Sequence, residues 1–416
     1  MGVVELSQRL MLRVDGYRRE MVEFQKAITA IPAVGPENGG DGEWERFLFL
    51  RDWLEKVGLG VAEEHHASDD RVVAGLRPNL VVRIPGKDAA PRTWVLVHTD
   101  TVPAGQRTLW DSDPYSVVER EDRLVGRGVE DNQQGLTAAL FALRALRAEG
   151  VVPAGEAGAI LVADEETGNG WGIDHVLETA SDLVDPADLV VVPDFGDPGG
   201  KIVEVAEKAV LTCRFIVRGK QVHASTPDQG VNAHRAAAHL VVRLDHRLAE
   251  AFPYHDPVFE PSRSTFEPTR RDANVLNTNT IPGEERFYVD CRVLPHYLLE
   301  EVKSVLEETA EDVEEDFSAR VSVDYPLEVP AAPSTPADAP VVRAVMGAVE
   351  MVMGLRPRPV GIGGGTVAAA FRKRGIPAAV WSTLDGTAHQ ANEYCRIDNM
   401  VNDAKVFACL YAGLAR

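Results

Sequence analysis

The chain has 416 residues, of which 45% are hydrophobic, so it can bury a large core and two domains are favoured over one. Its formal net charge of −21 argues against nucleic acids and anionic membranes as partners and is typical of a soluble cytoplasmic enzyme. Four scattered cysteines without a CxxC pair argue against a disulfide framework or a zinc finger, and no apolar run is long enough to span a bilayer.

The first half of the chain alternates helix-like and strand-like segments. Apolar periodicity and turn residues predict a helix that ends before Ile31-Pro32, a helix over 43–57, strands over 79–84 and 93–97, a helix over 135–149, and strands over 159–163 and 188–192. Polar residues directly follow several of these strands. This order predicts an α/β domain with a doubly wound sheet, in which ligands bind at the carboxyl ends of the strands.

A different pattern begins near Lys208. It predicts strands over 211–218, 287–293 and 320–325 and helices over 232–249 and 299–317. These elements indicate a small α+β domain inserted into the first one, with the proline-rich stretch 326–340 as the return crossing. A helix over 339–353, a strand over 378–381 and a helix from Asp398 complete the α/β domain. We therefore predict one domain of residues 1–207 plus 327–416 and an inserted domain of residues 208–326.

Acidic and histidine side chains collect at the predicted strand ends of the α/β domain. They are His98, Asp100, Asp131, Glu165, Glu166, Asp194 and, after Trp381, His389. In the run Asp164-Glu165-Glu166, adjacent carboxylates repel one another and resist burial, and a bound cation would compensate for them. The alternative interpretation of this run is a solvated acidic turn.

This set of side chains predicts a metal site. Two histidines with several carboxylates suit zinc or a related divalent ion, and the argument is their shared position at strand ends and not any single spacing. Five ligands exceed the four of a tetrahedral zinc ion, whereas two metals that share one carboxylate would use them all. A further carboxylate that binds no metal would be free to act as a general base.

Seven stretches, in order along nearly the whole chain, resemble the motifs of one family. They are His98-Thr99-Asp100, Gly126-Arg127-Gly128-Val129-Glu130-Asp131-Asn132, Asp164-Glu165-Glu166-Thr167-Gly168, Asp194, Gly219-Lys220-Gln221-Val222-His223, Asn279-Thr280-Ile281-Pro282-Gly283 and Gly386-Thr387-Ala388-His389. The chain is similar to the di-zinc amidohydrolases and peptidases, which include acetylornithine deacetylase, succinyl-diaminopimelate desuccinylase, aminoacylase, carboxypeptidase G and the dinuclear dipeptidases. The resemblance implies a metal-binding catalytic domain with a doubly wound mixed sheet of the zinc-peptidase, phosphorylase/hydrolase-like type. It also implies an inserted α+β, ferredoxin-like dimerisation or lid domain.

The resemblance implies the metal ligands position by position. His98 and Asp194 resemble ligands of one metal, and Glu166 and His389 resemble ligands of the other. Asp131 resembles the carboxylate that bridges the two. Two zinc ions per subunit are therefore expected, with cobalt or manganese as substitutes.

Two further carboxylates have implied roles at the same site. Asp100 resembles the group that orients His98 through its other ring nitrogen. Glu165 resembles the general base, which takes a proton from the attacking water and returns it to the leaving amine. The resemblance also implies that the Asp131-Asn132 peptide bond is cis.

The implied substrate contacts lie mostly in the inserted domain. His223 resembles a histidine that reaches across a dimer interface and helps to bind the oxyanion of the partner's substrate. Asn279 and Arg292 match positions that contact substrate, although Arg292 could instead pair with Asp290. The run Gly363-Gly364-Gly365-Thr366 resembles a glycine-rich loop whose backbone N–H groups can meet a substrate carboxylate.

Two positions depart from the family pattern. Gln133 stands where many members have lysine, and Asp194 stands where deacylases and carboxypeptidases usually have glutamate. Aspartate at that position is more typical of aminopeptidases and dipeptidases, whereas the segments around His223 and His389 are closer to the deacylases.

The predicted function is hydrolysis of an amide bond in a small N-acyl amino acid by a cytoplasmic homodimer, and the alternative is a di-zinc dipeptidase or aminopeptidase. A catalytically silent metal-binding scaffold is a third hypothesis, which the presence of Glu165 disfavours.

Overall fold

The structure is a computed structural model that describes residues 2–415. Its α-helices are α1 Val3–Gly16, α2 Arg18–Thr29, α3 Trp44–Lys56, α4 Gln133–Ala148, α5 Ile173–Thr179, α6 Ala233–Ala251, α7 Leu299–Phe317, α8 Pro340–Met353, α9 Ala368–Arg372 and α10 Ile397–Tyr411. Its strands are β1 Glu63–Glu64, β2 Ala67–Ser68, β3 Leu76–Arg77, β4 Leu80–Ile84, β5 Thr93–His98, β6 Val118–Arg120, β7 Arg123–Val125, β8 Ala157–Val162, β9 Leu189–Val192, β10 Ile202–Glu207, β11 Ala209–Arg218, β12 Val222–His223, β13 Thr265–Arg271, β14 Thr280–Ile281, β15 Glu284–Val293, β16 Arg320–Val329, β17 Arg358–Ile362, β18 Ala378–Val380 and β19 Tyr394–Arg396. Within these residues, no helix is both long enough and apolar enough to cross a membrane.

The chain divides into two compact units. The first comprises Met1–Val205, Thr335–Val360 and Thr366–Arg416, and the second comprises Ala206–Ser334 and Gly361–Gly365.

One predicted element needs correction. The proline-rich stretch 326–340 was expected to form the return crossing, but its first residues belong to β16, which stays paired with β11 up to the pair Val210 and Val329.

The first unit is built on an eight-stranded mixed sheet in the order β1-β4-β8-β5-β9-β18-β10-β17. The central strands β8, β5, β9 and β18 are parallel, whereas β4 and β10 pair antiparallel with β8 and β18. Strands β5 and β8 are buried along their whole length, which explains why each reads as a continuous apolar run. The predicted α/β fold with a mixed sheet is confirmed.

Helices cover this sheet because every central strand has two apolar faces. Alternate residues of β5, β8, β9 and β18 pack in one core cluster with residues of α5 and α9. Helix α4 is buried over most of its length and packs against α10 and against β5. This arrangement leaves the ends of the parallel strands as the place where polar side chains can gather.

The second unit is an α+β sandwich of its own. Its antiparallel sheet has the order β13-β15-β11-β16, and α6 and α7 pack on one face. Every second residue of β11, from Leu211 to Val217, faces this core, which is the pattern of a strand with one buried and one exposed face. Phe215 and Phe287 stack at 4.9 Å between ring centroids in this core. The role of this unit in dimerisation stays a prediction.

Candidate active site

Three neighbouring parallel strands bring the predicted polar residues to one edge of the first unit's sheet. His98 is the last residue of β5, and the run Asp164–Glu166 begins two residues after β8 ends. Asp194 follows β9 at the same distance. Because β8, β5 and β9 are adjacent and parallel, their carboxyl ends meet, as the sequence predicted.

Asp131 stands between the two histidines of this site. Its Oδ1 lies 3.0 Å from Nε2 of His98, and its Oδ2 lies 3.2 Å from Nε2 of His389. Nε2 of His389 is also 3.0 Å from a carboxylate oxygen of Glu166, and Nε2 of His98 is 3.6 Å from Oδ1 of Asp194. The side chains therefore converge on two points that share one carboxylate.

Each of these points has the donors that a divalent cation requires. His98, Asp131 and Asp194 form one group, and Asp131, Glu166 and His389 form the other, with the donor atoms of each group within 4.8 Å of one another. One imidazole and two carboxylates per group is a donor set suited to zinc and related divalent ions. The residues present therefore fit a pair of metal ions.

Electrostatics also favours a cation at this site. Burial opposes ionisation of Asp131, but hydrogen bonds from His389 and His98 outweigh it and lower its pKa. Hydrogen bonds to Asp131 and Glu166 raise the pKa of His389 to about 10. Burial raises the pKa of Glu166 and raises that of Glu165 well above its usual range. A bound cation would favour the ionised form of these buried carboxyl groups and so lower their pKa again.

Asp100 connects the His98 strand with the acidic turn. Its Oδ1 is 3.2 Å from Nδ1 of His98, and its two carboxylate oxygens accept the backbone N–H groups of Glu165 and Glu166 at 3.2 and 3.0 Å. Asp100 is 1% exposed, so these contacts lie out of water. The contact with the second nitrogen of His98 is the one that the sequence analysis expected.

The acidic turn itself is fixed by a buried network that the sequence analysis missed. Asp164 has a left-handed backbone with φ of 62°, and its carboxylate accepts hydrogen bonds from Oγ1 of Thr167 at 2.5 Å and from N–H of Trp171 at 3.0 Å. Arg77 lies 3.5 Å from Asp164 and pairs with Glu43 at 2.6 and 2.8 Å. Both partners of this pair are completely buried. Nothing in the local sequence around Arg77 or Glu43 indicates the contact.

The turn after Asp131 also has specific geometry. The Asp131-Asn132 peptide bond is cis, as the resemblance implied. The side chain of Asn132 donates to the carbonyl of Pro193 at 2.7 Å and to Asp194 at 3.2 Å, so it ties the Asp131 turn to the end of β9. Gln133 is buried, and its Oε1 accepts a hydrogen bond from the hydroxyl of Thr29 at 2.6 Å.

In the second unit, His223 ends β12 and Asn279 directly precedes β14, the strand that pairs with β12. His223 is exposed, its Nδ1 lies 2.7 Å from Oγ of Ser225, and its Nε2 lies 3.4 Å from the amide nitrogen of Asn279. The imidazole is exposed although both of its nitrogens have a polar neighbour within the second unit.

Arg292 has the alternative contact that the sequence analysis left open. Its guanidinium donates to both carboxylate oxygens of Asp290, at 2.7 and 3.1 Å, and to the carbonyl of Gly363 at 2.8 Å. Gly364 and Gly365 follow in the same unit, and apart from its chain neighbours no described residue comes within 4 Å of a Cβ built on Gly364. Thr366 begins the next segment of the first unit.

A comparison with protein-family models decides the family. Residues 94–412 match the model described as peptidase family M20/M25/M40. The chain belongs to this family. As an M20-family protein it is a metallohydrolase that acts on amide or peptide bonds, and the resemblance seen in the motifs is confirmed.

Similar proteins carry different names within this M20 group. An uncharacterized metallohydrolase of Methanocaldococcus jannaschii is 34% identical over 404 residues, which covers 93% of this chain and 98% of that protein. A succinyl-diaminopimelate desuccinylase of Cereibacter sphaeroides is 29% identical over 381 residues, covering 88% of this chain and 91% of that protein. The crystal structure of aminopeptidase PepT from Bacillus cereus matches with a TM-score of 0.72 at 19% identity, covering 96% and 99% of the two chains, and this likeness shows the fold.

Proposed function

We propose that this chain is a two-metal hydrolase of amide bonds in small N-acyl amino acids, of the desuccinylase or deacetylase type. The observation that carries the proposal is the position of Asp131, whose two oxygens face two different histidines. His98 and Asp194 would complete one metal site, and Glu166 and His389 would complete the other. Zinc suits these donors best, with cobalt or manganese as substitutes.

The chemistry follows from this arrangement. Divalent ions in such sites lower the pKa of bound water and polarise a carbonyl group. The carboxylate of Glu165 lies 4.0 Å from Nε2 of His98, is 17% exposed, and accepts no hydrogen bond from any residue in the described range 2–415. It accepts a proton from the attacking water and then donates that proton to the leaving nitrogen, so that the amine departs uncharged. Asp100 holds His98 and the turn that carries Glu165 in position relative to each other.

A second candidate function is that of a dipeptidase or aminopeptidase. Asp194 favours it, because the family's deacylases usually carry glutamate there, whereas aspartate is more typical of its aminopeptidases. The fold match to an enzyme named aminopeptidase is consistent with this alternative. The desuccinylase-named relatives, at 26–29% identity, support the first candidate.

The proposed substrate contacts are His223, Asn279, Arg292, Gly364, Gly365 and Thr366. His223 is proposed to act on the substrate of the other subunit in a homodimer, and the exposure of its side chain supports this proposal. Mixing a His223→Ala variant with a Glu165→Gln variant tests this, because hybrid dimers would rebuild one complete site and regain activity. Failure to regain activity, or full activity of a monomer, would refute the assignment. Homodimerisation and a cytoplasmic location stay predictions.

A substrate panel with added zinc or cobalt tests the function directly. It contains N-succinyl-diaminopimelate, N-acetylornithine, other N-acyl amino acids and unblocked dipeptides. Cleavage of blocked compounds alone supports the deacylase proposal. Cleavage of unblocked dipeptides alone supports the peptidase candidate and makes Asp194 the residue that separates the branches. Cleavage of neither class, with metal bound, overturns both.

A further inference from the structure

Two buried carboxylates of the first unit have no place among the predicted ligands. Glu130 is 2% exposed and Glu393 is 1% exposed, and neither belongs to the two groups of metal donors. Glu130 lies directly before Asp131, and Glu393 lies four residues after His389. Each therefore sits in a loop that carries one ligand.

Glu130 binds the backbone of the His389 loop. One carboxylate oxygen accepts the N–H groups of Asp385 and Gly386 at 2.6 and 3.2 Å. The other accepts the N–H of Ala388 at 3.0 Å, the N–H of Thr387, and the hydroxyl of Thr387 at 2.8 Å. Four successive amides, ending one residue before His389, thus point at a single carboxylate.

Glu393 binds the backbone of the Asp131 loop in return. Its Oε1 accepts the N–H groups of Glu130 and Asp131 at 3.0 and 3.1 Å. Its Oε2 accepts the N–H of Gly128 at 2.9 Å and a guanidinium N–H of Arg127 at 2.6 Å. The two loops, 126–132 and 385–394, therefore hold each other through two crossed carboxylates, and we call this pair the crossed clamp.

We infer that Glu130 and Glu393 are positioning residues that set the separation of Asp131 and His389, and through it the affinity for the metal ion between them. The inference rests on the proposed function, because it concerns the second of the two proposed metal sites. His389 depends on such support, since its side chain is 55% exposed and its backbone has a left-handed φ of 65°. Hydrogen bonds from backbone N–H groups to a buried carboxylate are strong and directional, so they fix a loop well.

The crossed clamp predicts that its two carboxylates affect metal binding differently. The loop bound by Glu130 supplies His389, which belongs to one metal group only. The loop bound by Glu393 supplies Asp131, which belongs to both groups. Loss of the Glu130 carboxylate should therefore weaken one ion, and loss of the Glu393 carboxylate should weaken both.

Metal titration of the full chain tests the inference. Cobalt is added to metal-free wild type, Glu130→Gln and Glu393→Gln, and its absorption and the number of ions bound are recorded. We expect two tight ions in wild type. In Glu130→Gln we expect one tight ion and a second bound at least tenfold more weakly, with activity restored by excess metal. In Glu393→Gln we expect both ions to be weakened.

Asp188→Asn is the matched control. Asp188 is also a buried carboxylate with several hydrogen bonds, from Arg92, Trp94 and the N–H of Asp185, but it lies at the start of β9, away from the carboxyl ends of the strands. This control should keep both ions at wild-type affinity. If Glu130→Gln fails to fold, Thr387→Val keeps the Glu130 carboxylate and removes the Thr387 hydroxyl, which contacts Glu130 and the backbone of Tyr394, and it should weaken the second ion by a smaller factor.

The outcomes separate this inference from the proposed function. Wild type that binds fewer than two ions would overturn the two-metal proposal itself, and the inference with it. If wild type binds two ions and the Glu130 and Thr387 variants bind both ions as tightly as wild type does, the inference about the crossed clamp is overturned and the two-metal proposal stands. If Glu130→Gln and Asp188→Asn lower the affinity for both ions equally, Glu130 only stabilises the fold in general. That result would overturn its positioning role.

Discussion

The Oδ1 atom of Asp100 lies 3.2 Å from the backbone nitrogen of Glu165. The same oxygen lies 3.2 Å from Nδ1 of His98, so one buried carboxylate fixes a proposed ligand and the turn that carries the proposed base. Its Oδ2 accepts the backbone N–H of Glu166 at 3.0 Å, and an amide at this position would set an NH2 donor against one of these donors.

We expect Asp100→Asn to lower metal affinity or kcat/KM by about 10- to 100-fold, as is typical when a group behind a metal ligand is altered. Metal titration together with kinetics checks this. Asp111→Asn, at an exposed carboxylate in the same unit, is the control and should match wild type. Wild-type metal affinity and turnover in Asp100→Asn would show that the contact is incidental.

The buried ion pair of Arg77 and Glu43 supports the acidic turn 164–166, since Arg77 lies 3.5 Å from Asp164. Removing one partner leaves a buried charge, so Arg77→Met should lower the free energy of unfolding by about 3–5 kcal/mol. The double variant Glu43→Gln with Arg77→Met should recover part of this loss. Urea denaturation measures both values.

The exposed pair of Arg51 and Asp52 provides the comparison for that experiment. Arg51→Met should change the free energy of unfolding by less than about 1 kcal/mol, because exposed ion pairs contribute little. A loss in Arg77→Met as small as that in Arg51→Met would contradict the structural role given to the buried pair.

Metal removal should destabilise the protein as well as inactivate it. Ions that bind only the folded state stabilise it by mass action, by about 2.7 kcal/mol per site at a free concentration 100 times Kd. Chelation should therefore abolish turnover and lower Tm, and added zinc or cobalt should restore both. Full activity after complete chelation would exclude every metal-dependent mechanism proposed above.

The sequence predicted the central strands of the sheet and the polar side chains at their ends, because these signals are strong and local. His98, the Asp164–Glu166 turn and Asp194 each follow an unbroken apolar run, and parallel strands bring such ends together. His389 lies eight residues after Trp381, so the predicted strand 378–381 indicated its place only loosely, and the family resemblance assigned its role. Strand β17 was missed because Pro359 and Gly361 interrupt its apolar run.

The residues that support the site were not predictable in the same way. Glu130 lies inside a quoted motif, but its partners are backbone amides more than 250 positions away. Arg77 and Glu43 are 34 residues apart and look like ordinary surface charges in the sequence. Their burial is a property of the folded chain, since it depends on which loops pack around them.

Turnover and metal content of Glu165→Gln, measured on the same sample, test the central claim most directly. The substitution keeps the size of the side chain and removes its ability to accept a proton. We expect two ions bound with wild-type affinity and a rate lowered by about 10²- to 10⁴-fold, the usual contribution of general acid–base catalysis. A variant that binds both ions and cleaves its substrate at the wild-type rate would contradict the assignment of Glu165 as the base.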